Sequence, residues 1–217
     1  DPKLPIHVGI DFNYMPYITG LAAQIRSYEH MNHIHFMSEH CLPPPNSTSI
    51  KLGRAIAGEL KTGLYAGHEA GIYVYGDYSG KNNTTMATDD ADNDFDSIFN
   101  ELHEFMHNDS NRVNTNVPLR KARDFSYHVM AGELPLWVTF SPEMLTTIRD
   151  LRSTKQDPNG SILKQYETMV INGTKVRYEK YGHCTQAAYY LMVDAFRPIF
   201  DDLKNEVAHY LMQKEAA

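Results

Sequence analysis

Cysteine is nearly absent: Cys41 and Cys184 are the two in 217 residues. Two cysteines cannot staple a small secreted scaffold, so a reducing compartment is the simpler expectation. Asn-X-Ser/Thr matches at Asn46, Asn83 and Asn172 are then coincidental. No apolar run approaches the ~18 residues of a membrane span. Gly and Pro are too few for a collagenous or low-complexity chain, and the first residues, Asp1-Pro2-Lys3-Leu4-Pro5, carry no secretory apolar segment and no initiator Met. They read as the start of an excised domain or a processed chain. A P-loop pattern and a G-x-S-x-G elbow are also missing, which argues against a nucleotide hydrolase or a serine esterase.

Apolar residues make up 42% of the chain and charged residues 22%, enough for a packed core. The length suits a single domain over residues 1–217. The net charge of −7 opposes a polyanionic partner until its distribution is read. Residues 1–111 sum to −9, residues 112–182 to +4 and residues 183–217 to −2. An acidic part able to hold cations adjoins a basic part able to hold a polyanion.

The apolar segment 6–12 predicts a buried strand ending at Asp11. Strands are expected again over 17–28 and 34–41, joined by a turn at 31–33, which makes an antiparallel meander. After Pro43-Pro44-Pro45, Ser47 or Ser49 is expected to cap a helix reaching about Leu64. Residues 71–77 predict another short strand, ending at Asp77. Helical spacing marks 94–107, and a short strand is expected over 112–117. A basic helix should cover 118–131, with a strand over 136–140 and a helix from Ser141-Pro142 to about Arg152. A hairpin is expected over 166–178 around Asn172-Gly173, then a helix over 183–197 and another from Pro198 to about Lys214. This order predicts an α/β fold: a mixed sheet, its first three strands antiparallel, with helices on both faces.

Asp11 and Asp77 each close an apolar strand. A carboxylate there is costly unless it is solvated, paired or bound to a cation. On neighbouring strands the two would offer oxygen ligands to Mg²⁺ or Mn²⁺. Gly182-His183-Cys184-Thr185-Gln186 opens a helix, with His183 and Gln186 on one face. Arg120, Lys121, Arg123, Lys155, Lys164, Lys175 and Arg177 form a basic set fit for phosphates. His103-Glu104-Phe105-Met106-His107 matches the zinc-peptidase pattern, a remoter reading in which His103 and His107 bind zinc. Its histidines lie on the flank of the apolar stripe, which opposes that reading.

Taken together, three stretches resemble the nuclease domain of tailed-phage large terminase subunits. They are Val8-Gly9-Ile10-Asp11-Phe12-Asn13, Tyr73-Val74-Tyr75-Gly76-Asp77-Tyr78-Ser79-Gly80, and the run from Tyr181 to Tyr190. The stretch Lys155 to Lys164, with Asp157 and Gly160, also fits. The resemblance implies an RNase H-like fold and metal-dependent cutting of concatemeric double-stranded viral DNA during packaging. It implies two Mg²⁺ or Mn²⁺ ions on Asp11 and Asp77, one generating the attacking hydroxide and one neutralising the leaving 3′ oxygen. It further implies an upstream ATPase domain in cis, a small terminase subunit and a portal as partners, and the cytoplasm of a bacterial host. The family's third carboxylate is replaced here by Gln186. That change lowers the charge of the site, leaves His183 as a compensating ligand, and implies a weakened or conditional nuclease. A catalytically inactive DNA-clamping module of the same fold is the alternative.

Overall fold

A computed structural model describes residues 1–77, 93–106, 117–158, 162–171 and 173–203. Its centre is a five-stranded mixed sheet in the order β4-β1-β2-β3-β5. The strands are β1 (Ile6–Asp11), β2 (Ile18–Ser27), β3 (Asn32–Leu42), β4 (Ile72–Gly76) and β5 (Leu136–Phe140). β1, β2 and β3 pair antiparallel, while β4 joins β1 and β5 joins β3 in parallel. This is the mixed α/β sheet that the strand pattern and the RNase H-like resemblance predict, with one parallel strand added at each edge.

Two apolar layers cover the sheet. Ile6, Val8 and Ile10 of β1 and Ile72 and Val74 of β4 pack against α1 (Ser49–Lys61) and α2 (Asp94–Leu102). On the other face Leu21, Ile34, Phe36 and Tyr75 meet α3 (Leu119–Met130), α4 (Leu145–Ser153) and α5 (His183–Ala195). Both faces of β1 are therefore buried, which explains why it reads as an apolar run rather than a clean alternation. α5 lies directly on β1. A Cβ on Gly9 would stand 2.3 Å from the Ala187 carbonyl oxygen and 2.9 Å from the Leu191 Cβ, so glycine permits this approach. The two cysteines meet where β3 passes α5, as thiols with sulfurs 3.6 Å apart.

Several local expectations shift. Thr48, not Ser47 or Ser49, caps α1 by accepting from the Lys51 amide, and the helix ends at Lys61. Asn32 and His33 belong to β3 rather than to a turn. The helix opened by Pro142 begins only at Leu145, after a turn closed by Met144 on Ser141. The hairpin exists as β6 (Tyr166–Ile171) and β7 (Thr174–Glu179), a separate two-stranded sheet. Residues 112–116, expected as a strand, lie outside the described residues, as does the last helix beyond residue 203. Among the described residues no helix is long and apolar enough to cross a membrane.

Candidate metal and nucleic-acid site

β1 and β4 run side by side, with Ile6 opposite Ile72 and Ile10 opposite Gly76. Asp11 and Asp77 follow that last pair on each strand. Parallel neighbours are about 4.8 Å apart and side chains alternate faces, so both carboxylates leave the sheet on the α5 side. Asp11 and Asp77 line one cavity of about 520 Å³, together with Gln186 and Tyr190 of α5, Lys164 before β6 and Glu179 at the end of β7. The Tyr190 phenol is pushed upward in pKa by burial first, then by the charges of Asp77 and Asp11. Its hydroxyl lies 3.5 Å from Gln186 Oε1, a long contact.

Asp11 is 3% exposed. Asn13 Nδ2 donates to its two oxygens at 3.0 and 2.9 Å, and His183 Nδ1 lies 2.9 Å from Oδ2. The other ring nitrogen of His183 lies 2.9 Å from the Glu179 carbonyl oxygen. Both partners accept, so both ring nitrogens donate and the ring is an imidazolium. Burial pulls the His183 pKa down, but the hydrogen bond and charge of Asp11 outweigh it and raise the value to about 9. His183 was expected as a metal ligand; here both its ring nitrogens are engaged, by Asp11 and by the Glu179 carbonyl, and the side chain clamps Asp11 from behind rather than lining the cavity. Tyr17 packs edge-on against it at 5.6 Å.

The position of His183 is set by a residue that no sequence motif marks. Gly182, at φ +110°, precedes α5 and brings no capping side chain. Asp150 of α4, 1% exposed, supplies the cap. Its carboxylate accepts from the Gly182 and Thr185 amides at 2.8 and 2.9 Å and from the Thr185 hydroxyl at 3.0 Å. An anion at a helix N-terminus satisfies unpaired amides and the helix dipole together. Glu179, Asn13 and Tyr190 are likewise not singled out by sequence. Asn13 and Tyr190 lie at the ends of two of the quoted stretches, whereas Glu179 falls just past the expected hairpin.

A divalent cation suits this donor set. Asp11, Asp77 and the Gln186 amide are all hard oxygen donors facing one cavity. The Asp11 carboxylate meets three N–H contacts against about four acceptor positions, which leaves capacity for a cation bond. Among the described residues no three His, Cys, Asp or Glu side chains are gathered as a ready-made metal cluster. Asp89, Asp90 and Asp92 lie outside the described residues. Asp194 faces Arg197 at 3.2 Å, and burial raises its pKa to about 6.

The basic set is dispersed. Lys164 alone of it lines the cavity, paired with Glu179. Arg120 and Lys121 are exposed on α3, and Arg123 is half-buried and turned onto Asp124. Lys155 follows α4 and lines, with Arg123, a second cavity of about 390 Å³. Lys175 and Arg177 stand exposed on β7, Arg177 over the Tyr166 ring at 4.0 Å. The zinc-peptidase reading gains no support from the described residues. α2 ends at Leu102, and His103–Phe105 form a 3-10 turn, so the pattern is not on an α-helix. Glu104 pairs with Lys61, His103 Nδ1 with the Asn100 carbonyl, and His107 lies outside the described residues.

No protein-family model matches this chain. No curated protein matches it either. A solved structure does: the g2p (large terminase) nuclease domain from bacteriophage SPP1 with bound Mn, at 16% identity and a TM-score of 0.49. The match covers 88% of this chain and 87% of that one. At that identity and TM-score the likeness adds nothing to what the strand order already establishes.

Proposed function

We propose that the chain is a divalent-cation-dependent nuclease domain that cuts double-stranded DNA. The observation that carries it is the placement of Asp11 and Asp77 at the ends of adjacent parallel strands, on one cavity wall with an all-oxygen donor set. Asp11, Asp77 and the Gln186 amide would hold the cation, Mg²⁺ or Mn²⁺. Bound there, it supplies an activated water and neutralises charge on the scissile phosphate. Asn13 and His183 fix the Asp11 carboxylate in one orientation before any ligand arrives. Lys164 also lines the cavity, its ammonium paired with Glu179. Lys175 and Arg177 extend positive charge along the hairpin, and Arg120, Lys121 and Lys155 extend it along α3 and the segment after α4, while Arg123 is paired with Asp124.

The two-cation mechanism belongs to this proposal in weakened form. Gln186 removes one negative charge, and His183 offers no lone pair to replace it, so a second cation binds less tightly than the first. The motif resemblance adds the setting: genome packaging in a bacterial host, with an ATPase domain in cis, a small terminase subunit and a portal as partners.

Plasmid nicking at millimolar Mn²⁺ tests the reading. Cleavage that is lost in Asp11→Asn and Asp77→Asn supports it. Absence of cleavage in the wild-type protein favours the DNA-clamping alternative, which the neutral Gln186 and the His183 charge behind Asp11 support. That module would still bind DNA, with a salt-dependent affinity.

A further inference from the structure

One carboxylate of the cavity wall is supplied by neither strand end. Glu179 closes β7 and lines the same cavity as Asp11, Asp77 and Gln186. Its backbone is already tied to the site. The Glu179 carbonyl holds one nitrogen of His183, whose other nitrogen holds Asp11, so a two-bond bridge fixes the Glu179 main chain relative to Asp11. Its side chain is 20% exposed and pairs with Lys164, whose own side chain is 63% exposed. We propose, building on the cation-dependent reading above, that Glu179 is the third carboxylate of the cation site and that the Lys164 ammonium holds its place until a divalent cation displaces it.

The physical case is one of charge and exchange. Asp11, Asp77 and Glu179 line the cavity and Gln186 is neutral, so Glu179 would bring from the hairpin a negative charge that Gln186 does not supply. In the described arrangement Glu179 is turned to Lys164, and no three-residue metal cluster is assembled among the described residues. Replacing Lys164 by a divalent cation leaves Glu179 paired. It returns a mobile ammonium to water, where it regains side-chain freedom. A largely solvated lysine loses little on leaving a pair of this kind. The competing reading is that the pair merely fastens the foot of the hairpin, where the Lys180 amide also donates to the Gln165 carbonyl.

Mn²⁺ titration by calorimetry, without DNA, separates the readings. The proteins are wild type, Glu179→Gln, Lys164→Met, Asp11→Asn and Asp77→Asn, each checked for folding by thermal unfolding. Glu179→Gln keeps the main-chain carbonyl that His183 needs. Its Mn²⁺ affinity is expected to fall about tenfold, because ligand charge sets affinity at such sites. Lys164→Met is expected to bind Mn²⁺ at least as tightly as wild type. If Glu179→Gln binds Mn²⁺ like wild type while Asp11→Asn does not, the role given to Glu179 is wrong and the cation site stands. If Lys164→Met binds more weakly, the displacement is wrong. If neither aspartate variant changes binding, the cation-dependent reading fails, and this inference with it.

Discussion

His183 reaches Asp11 across 172 positions of sequence, its Nδ1 2.9 Å from the carboxylate, both side chains almost wholly buried. A buried pair of this kind tolerates loss of a partner poorly, because the remaining charge has no water to face. His183→Ala is therefore expected to cost about 3 kcal/mol or more of folding stability. A urea unfolding curve reads it directly. Asp11→Asn should cost less, since the amide still accepts from the ring. A smaller loss in His183→Ala than in Asp11→Asn would contradict the clamp.

Asp150 makes a second long-range prediction. It accepts three hydrogen bonds from the first turn of α5. Asp150→Ala strips the helix of its cap and leaves buried amides unpaired, at about 2–4 kcal/mol. For a chain of this size that lowers the melting temperature by roughly 2–4 °C per kcal/mol. Mn²⁺ affinity should fall too, because α5 carries His183 and Gln186.

Gly9 tests the seating of α5 on β1. Any side chain there meets the Ala187 carbonyl oxygen, a backbone atom that cannot rotate away. Gly9→Ala is expected to destabilise by about 1–3 kcal/mol through overpacking and to displace α5 from β1. Gly58, where an added Cβ would have nothing within 4 Å, is the control: Gly58→Ala lies inside α1 and should be neutral or stabilising.

The acid side of the stability profile has an identifiable contributor. His7 packs beside Tyr73 and Tyr75, its Nδ1 2.8 Å from the Tyr75 hydroxyl. Burial lowers its pKa from 6.5 to about 4. The unfolded chain therefore takes up the proton more readily than the folded one. Stability associated with neutral His7 is complete above about pH 6.5 and is lost as pH falls toward 4, by up to about 3 kcal/mol. Unfolding free energies measured between pH 7 and 4 should show a shallower slope in His7→Phe. An identical slope would exclude His7 as the source.

DNA binding, if the basic residues of β7 take part, should lose salt dependence when they are neutralised. Each phosphate contact removed lowers the slope of log affinity against log salt by about 0.9. Lys175→Ala and Arg177→Ala should each do so without altering Mn²⁺ affinity, since neither lines the cavity.

Local patterning announced most of the elements. The two strands that carry Asp11 and Asp77 are short apolar runs ended by polar turn residues, and burial on both sheet faces enforces such runs. Asn172-Gly173 marked the hairpin for the same kind of local reason, a backbone turn at Gly173 with φ +79°. Helix ends were read less well. The helix of the His103–His107 pattern stops at Leu102, and α4 starts three residues after Pro142. Turn bonds and packing decide such ends, and periodicity does not register them.

What residue order alone determined is that Asp11 and Asp77 each close a short apolar strand and that the strands form a mixed sheet. What only tertiary structure decided is how those groups are held. His183 faces away from any ligand because Asp11 and the Glu179 carbonyl take both its nitrogens, α5 is capped by a carboxylate from another helix, and Glu179 reaches the cavity from the hairpin. The reason is physical: alternation and turn chemistry act between near neighbours in the chain, whereas charge pairing in a buried space is settled by whichever groups the packing brings within about 3 Å.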